Sequence, residues 1–229
     1  MDMTRQDRRA IRAPPAALAL TGGLIGLHAL RVALHISGEA FAFAASDLGD
    51  GRAYTLLTHM LVHANWAHVL TNAFFILAFG APVGRYLGQG LRGSLLLLLF
   101  FVVCGVIAAL GFAGLDLIFP AGGGDGEDAM IGASGAASGL MGAAARLMGS
   151  PRFVAAAELR PRLGPVFSRP AMGLAASWVV VNLVIGLTNL APGVEGAGIA
   201  WQAHLVGFAA GLLLIGAFGH ISGMTRESA

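Results

Sequence analysis

Along the chain, long apolar runs alternate with short polar stretches. A bilayer core takes about 20 apolar residues per helix. Six runs approach that length, over roughly 16–36, 66–86, 93–114, 132–149, 171–190 and 202–218. The runs are continuous and do not alternate between apolar and polar residues, which argues against a transmembrane barrel. The pattern predicts an all-α polytopic membrane protein, a six-transmembrane-helix bundle. Residues 1–15 read as an N-terminal segment, 16–220 as the membrane domain and 221–229 as a short tail.

The breaks between runs differ in character. The second and third runs meet at a tight glycine-rich turn, "YLGQGLRG". The fourth and fifth are joined by a loop with Pro151, Pro161, Pro165 and Pro170. Loops 37–58 and 115–131 are longer, and 191–201, "APGVEGAGIAW", reads as a mobile flap. Loops of such length are uncommon unless they are functional or disordered. The sequence has no internal repeat and no heptad pattern.

The fourth run, "MIGASGAASGLMGAAARLMG", is built of small residues and would gain little by facing lipid. Gly135 and Gly139 are four apart, as are Gly207 and Gly211 in the sixth run. That spacing lets helix backbones approach closely. The fourth and sixth runs are therefore expected to pack together at short range.

Composition agrees with the pattern. The chain is 56% hydrophobic and 11% charged, against about a quarter charged in a soluble domain. Cys104 is the one cysteine, so there is neither a disulfide framework nor a cysteine metal cluster, and it reads as packing. All 14 basic residues are arginine, a bias that suggests a bacterial source and an inner-membrane setting. If the chain crosses six times, Arg5, Arg8, Arg9, Arg12, Arg85, Arg92, Arg146, Arg152, Arg160, Arg162, Arg169 and Arg226 fall on one side. Arg31, Arg52 and most acidic residues fall at the other. The positive-inside rule then puts both termini in the cytoplasm. The basic balance thus reports orientation, and no nucleic-acid partner is expected. The charged start, the first apolar run and the A-x-A at Ala42–Ala44 could suggest a cleaved leader. The run is long for one and five more follow, so it is read as a helix that stays.

A polar constellation emerges inside this apolar frame. His204, Gly207 and Gly211 share one helix face. If that face packs on the fourth run, His204 points at its start, where Ser134 stands. Ionisable residues within the membrane are expensive and point to function. A serine hydroxyl becomes a useful nucleophile when a base takes its proton, and histidine is the usual base. A helix N-terminus adds free backbone N–H groups beside the serine. Acyl transfer also needs donors for the developing oxyanion. The backbone N–H of Ser134 is one candidate, and His68 and Asn72, four apart on the second run, are two more.

Blander readings compete. A lone serine in a Gly/Ala helix is usually bonded to its own backbone. His28, His35 and His220 read as interface residues. His59, His63 and His68 resemble a zinc set, but no H-E-x-x-H glutamate accompanies them and no Asp or Glu lies between Arg52 and Asp116. No metal is expected; His59 and His63 are expected to order the entry to the second run. Asn182 and Asn189 could act as interhelical glue.

Three blocks carry a resemblance: "HMLVHANWAHVLTN", "GASG" at Gly132–Gly135 and "AHLVGFAAG" at Ala203–Gly211. In this order and on these runs they resemble the rhomboid family of intramembrane serine proteases. The resemblance implies a rhomboid-type bundle with a catalytic dyad of Ser134 and His204. It implies an oxyanion site from His68, Asn72 and the Ser134 backbone N–H, supported by Gly132, Gly135, His63, Ser138 and Gly207. It further implies cleavage of transmembrane protein substrates within the lipid bilayer without a cofactor, at a site opening to the outer side. The fifth helix would form part of a lateral gate, and 191–201 the cap.

Three positions depart from the family pattern. Ser138 stands where many members have an aromatic residue stacked on the histidine; it could instead bond to the histidine. The Trp-Arg pair of the first outer loop is absent in register, although Arg52 and Tyr54 are nearby. Gly84 replaces a frequent glutamate. Two alternatives to a protease remain: a catalytically silent rhomboid-like protein that binds transmembrane helices, and a transporter. The transporter would need charged residues in mid-span, which the runs lack.

Overall fold

The computed structural model describes residues 13–116, 118, 129–150, 163–188 and 199–223. The N-terminal arginines, the acidic centre of 115–131, most of the proline-rich loop, Asn189 and most of the expected cap lie outside the described residues. Within these residues there are six long helices: α1 (Pro15–Ala33), α2 (Trp66–Leu87), α3 (Leu91–Asp116), α4 (Ser134–Met148), α5 (Arg169–Thr188) and α6 (Trp201–Ser222). Among the described residues there is no strand, only one antiparallel bridge between Phe43 and Met130.

Five of the six, all but α4, are long and apolar enough to cross a membrane. The α4 helix has 15 residues, about 22 Å, less than a bilayer core of about 30 Å. It needs no lipid-facing surface, because 12 of its residues are buried. It packs against α2, α3, α5 and α6 and so forms the centre of the molecule. The outer helices present apolar side chains outward, such as Phe74 at 66% and Leu187 at 84% exposure. An apolar exterior of this kind suits a lipid solvent.

Glycine sets the closest helix pair. On α4, a Cβ at Gly142 would lie 2.0 Å from the Phe208 carbonyl oxygen; on α6, one at Gly211 would lie 1.8 Å from that of Gly139. Cys104 of α3 fills the remaining space beside Gly139 as a buried packing residue. The expected close pairing of the fourth and sixth runs is therefore present.

The remaining sequence expectations find physical explanations. The α2–α3 turn is tight because Gly88 takes φ 108° and Gly93 lies against its carbonyl. The first helix ends at Ala33, earlier than expected, and His35 turns the chain with φ 53°. Gly84 has no room for a glutamate: even a Cβ there would meet Pro14 at 2.9 Å and Leu97 at 3.1 Å. His28 is not an interface residue. It is buried, with its ring edge-on to Trp66 at 4.8 Å, because α1 packs along α2. His35 and His220 are exposed.

The segment between α1 and α2 is a folded loop. It contains two 3-10 turns, Glu39–Phe41 and Ala45–Leu48, a short helix Thr55–Thr58 and a third 3-10 turn, His59–Leu61. Asp47 organises it. Its Oδ2 accepts from the Ala44 N–H at 3.0 Å and the Thr55 hydroxyl at 2.8 Å, and its Oδ1 lies 3.3 Å from Arg52. Tyr54 donates its hydroxyl to the Ala40 carbonyl. Arg52 and Tyr54 thus tie this loop to itself.

Candidate active site

The chain enters α4 through Gly132, which holds φ 108°, a conformation open to glycine and strained for other residues. A Cβ there would also lie 2.6 Å from His68 Nε2. The Gly132 N–H donates to the His59 carbonyl at 2.9 Å, and the Ala133 N–H to His63 Nε2 at 3.4 Å. The segment between α1 and α2 therefore holds the residues just before the helix. Ser134 is the first residue of α4, with no side-chain cap. The first N–H groups of a helix have no intrahelical partner, and the macrodipole makes this end favourable to negative charge.

His204 lies one turn into α6. Its Nε2 is 2.7 Å from Ser134 Oγ, within ordinary O–H···N hydrogen-bond distance. The expected pair is therefore in direct contact, although 70 residues separate it along the chain. Gly207 makes the contact possible by letting α6 approach Gly135. Gly135 itself lies against Ala108, where a Cβ would be 2.7 Å away.

His68 and Asn72 line the same cavity as Ser134 and His204, a space of about 880 Å³. Asn65 caps α2 by accepting the His68 N–H at 2.9 Å, which fixes the first turn that carries His68. The Ala64 N–H donates to His68 Nδ1 at 3.4 Å, leaving the ring proton on Nε2. Asn72 Nδ2 donates one hydrogen to the His68 carbonyl at 2.9 Å; the amide has a second hydrogen to offer.

His59 and His63 serve the scaffold. His59 donates Nδ1–H to the Thr55 carbonyl at 2.9 Å. His63 is fully buried, and burial, with His68, His28 and Arg31 nearby, pushes its pKa down to about 3. It is a neutral acceptor for Ala133. Among the described residues no three His, Cys, Asp or Glu side chains gather as a metal-binding group.

Ser138 does not reach His204. Its hydroxyl donates to the Ser134 carbonyl at 2.8 Å, one helical turn back. An aromatic neighbour comes from a different helix: Trp178 of α5 lies with its ring centroid 6.0 Å from that of His204. Asn182, also on α5, places Oδ1 2.7 Å from His204 Nδ1. From the sequence alone Asn182 could act as interhelical glue. The available signal was its position: Trp178, Asn182 and Gly186 recur every fourth residue in a valine-rich helix. That face turns toward α6, where Gly186 gives space to Trp201.

Chemically, the site has a hydroxyl bonded to an imidazole, a helix N-terminus beneath it, and amide and imidazole donors across a cavity. In comparison with known proteins, the family model of the Rhomboid domain matches residues 50–221. No individually curated protein matches the chain.

Proposed function

The chain belongs to the rhomboid family and is an integral membrane protein; on that premise we propose that it is an intramembrane serine endopeptidase cutting transmembrane segments of membrane-protein substrates. The observation that carries this reading is the 2.7 Å contact between Ser134 Oγ and His204 Nε2. Ser134 Oγ attacks the scissile carbonyl while His204 Nε2 takes its proton. The oxyanion receives N–H groups from the Ser134 backbone, Asn72 Nδ2 and His68 Nε2. As the C–N bond breaks, the imidazolium returns the proton to the leaving amine. Water, activated by the same imidazole, then hydrolyses the acyl-enzyme.

The six helices are read as six crossings, with α4 the short one, starting inside the protein below the cavity. Its non-helical entry is tolerable at depth because it lines that cavity. Both termini are assigned to the cytoplasmic side. Arg85, Arg92, Arg146 and Arg169 lie at helix ends. Pro14 packs on Gly84, and Arg92 bonds the Ile221 carbonyl, which joins both ends of the bundle to that side. Arg31, Glu39 and the cavity lie at the opposite end, read as the outer side.

The test uses purified protein in lipid vesicles with a single-span substrate. Wild type is expected to release two fragments and Ser134→Ala none. Equal cleavage by Ser134→Ala would remove Ser134 as nucleophile. Binding of the substrate helix without cleavage by wild type would favour the silent helix-binding reading.

A further inference from the structure

His204 makes a second hydrogen bond through its other ring nitrogen, 2.7 Å from Asn182 Oδ1. Asn182 is 1% exposed, so water is a poor substitute for this partner. The direction of the bond follows from the rest of the amide. Asn182 Nδ2 donates to the Trp178 carbonyl at 2.8 Å, which can only accept. Oδ1 is therefore the atom facing the ring, and it accepts a hydrogen bond from Nδ1–H. A neutral imidazole has one N–H. With that proton on Nδ1, Nε2 carries the lone pair required by the Ser134 hydroxyl.

We propose that Asn182 is a positioning residue, the third member of a hydrogen-bonded Ser134–His204–Asn182 chain, which fixes the tautomer and ring plane of the base. Its role in turnover rests on the protease reading above; its hold on the tautomer does not. The neighbours leave this task to Asn182. Ser138 bonds the Ser134 carbonyl. Trp178 Nε1 donates to the His204 backbone carbonyl at 3.5 Å and does not bond the ring. Arg31, Glu39, His63 and His68 also line the cavity, but none bonds His204 Nδ1 among the described residues.

An amide acts differently from a carboxylate here. A buried carboxylate would both orient the ring and stabilise the imidazolium, at the cost of a charge within the bundle. The neutral amide orients and adds little charge stabilisation. Because Asn182 is on α5 and His204 on α6, the base is oriented only while those helices stay packed at this level.

The experiment compares wild type, Asn182→Leu and Asn182→Asp in vesicles, with Ser134→Ala as the blank. It measures kcat and KM separately across pH. Nitrogen-15 spectra of histidine-labelled protein, assigned with His204→Gln, read the tautomer directly. Wild type should show the proton on Nδ1. Asn182→Leu should lower kcat about 100-fold, the scale of a misplaced catalytic group, leave KM nearly unchanged and mix the tautomers. Asn182→Asp should recover most of the lost kcat and move the acid limb to higher pH, since a carboxylate favours the imidazolium. A wild-type spectrum with the proton on Nε2 would overturn the proposal, even if the leucine variant did not fold. So would equal losses of kcat in both variants with an unmoved acid limb. If wild type did not cleave, or Ser134→Ala did, the protease reading would fall, and the spectra would still decide the role of Asn182.

Discussion

Gly207 lies against the carbonyl of Gly135 so closely that a Cβ at 207 would sit 2.1 Å from its oxygen. Backbone cannot yield as a flexible side chain can. Gly207→Ala should therefore push α6 away from α4 and carry His204 away from Ser134. Overpacking of this kind costs about 1–3 kcal/mol. Thermal unfolding in detergent should show a lower midpoint, and cleavage should fall with it. Gly26→Ala is the control, because nothing lies within 4 Å of a Cβ there. Matching midpoints and activity for both variants would refute the close-packing account.

Asn72 is expected to act in the transition state. Its Nδ2 already donates one hydrogen to the His68 carbonyl, which fixes the plane of the amide and leaves it a second hydrogen to offer. Asn72→Ala should lower kcat by about 100- to 1,000-fold, the scale of a lost oxyanion donor. The substrate KM should change little. Steady-state cleavage in vesicles measures both, and an unchanged kcat would take Asn72 out of the oxyanion site.

A fluorophosphonate probe tests the nucleophile without a protein substrate. It should label wild type on Ser134 and spare both Ser134→Ala and His204→Ala. The reason is the single contact of 2.7 Å: without an imidazole to take its proton, the hydroxyl is a poor nucleophile. Mass spectrometry of the labelled peptide locates the adduct. Labelling of His204→Ala at the wild-type rate would mean that His204 does not activate the serine.

Much of this was legible in the sequence because membrane helices are written in long apolar runs. The residues that form the site also recur at helical spacings: His68 with Asn72, and His204 with Gly207 and Gly211. The small residues of α4 announced a buried helix packed closely on α6. Asn182 was harder to read. Its partner is on another helix, and a single asparagine in an apolar run looks the same whether it joins helices or orients a base. His28 was misread for a related reason. Its burial depends on how α1 lies along α2 and on Trp66, which no periodicity within α1 reports. Ser138 could bond either its own helix or His204, and only the rotamer chosen in the fold decides between them.

His63 predicts how stability responds to acid. Burial lowers its pKa from an ordinary value near 6.5 to about 3 in the folded protein. Between those values the unfolded chain binds a proton and the folded protein does not. The folded state therefore loses stability as pH falls from about 6.5 toward 3, by at most about 1.4 kcal/mol per pH unit for one such group. His59 is lowered chiefly by burial as well, with the same sign, so it adds to the slope. Above pH 7 neither group contributes a slope. His63→Gln keeps an acceptor for the Ala133 N–H and removes the titration. It should melt near wild type at pH 8 and lose less stability on acidification. Unfolding midpoints in detergent from pH 8 to pH 4 give the comparison. Parallel curves for the two proteins would mean that His63 is not the buried neutral histidine that holds the entrance to α4.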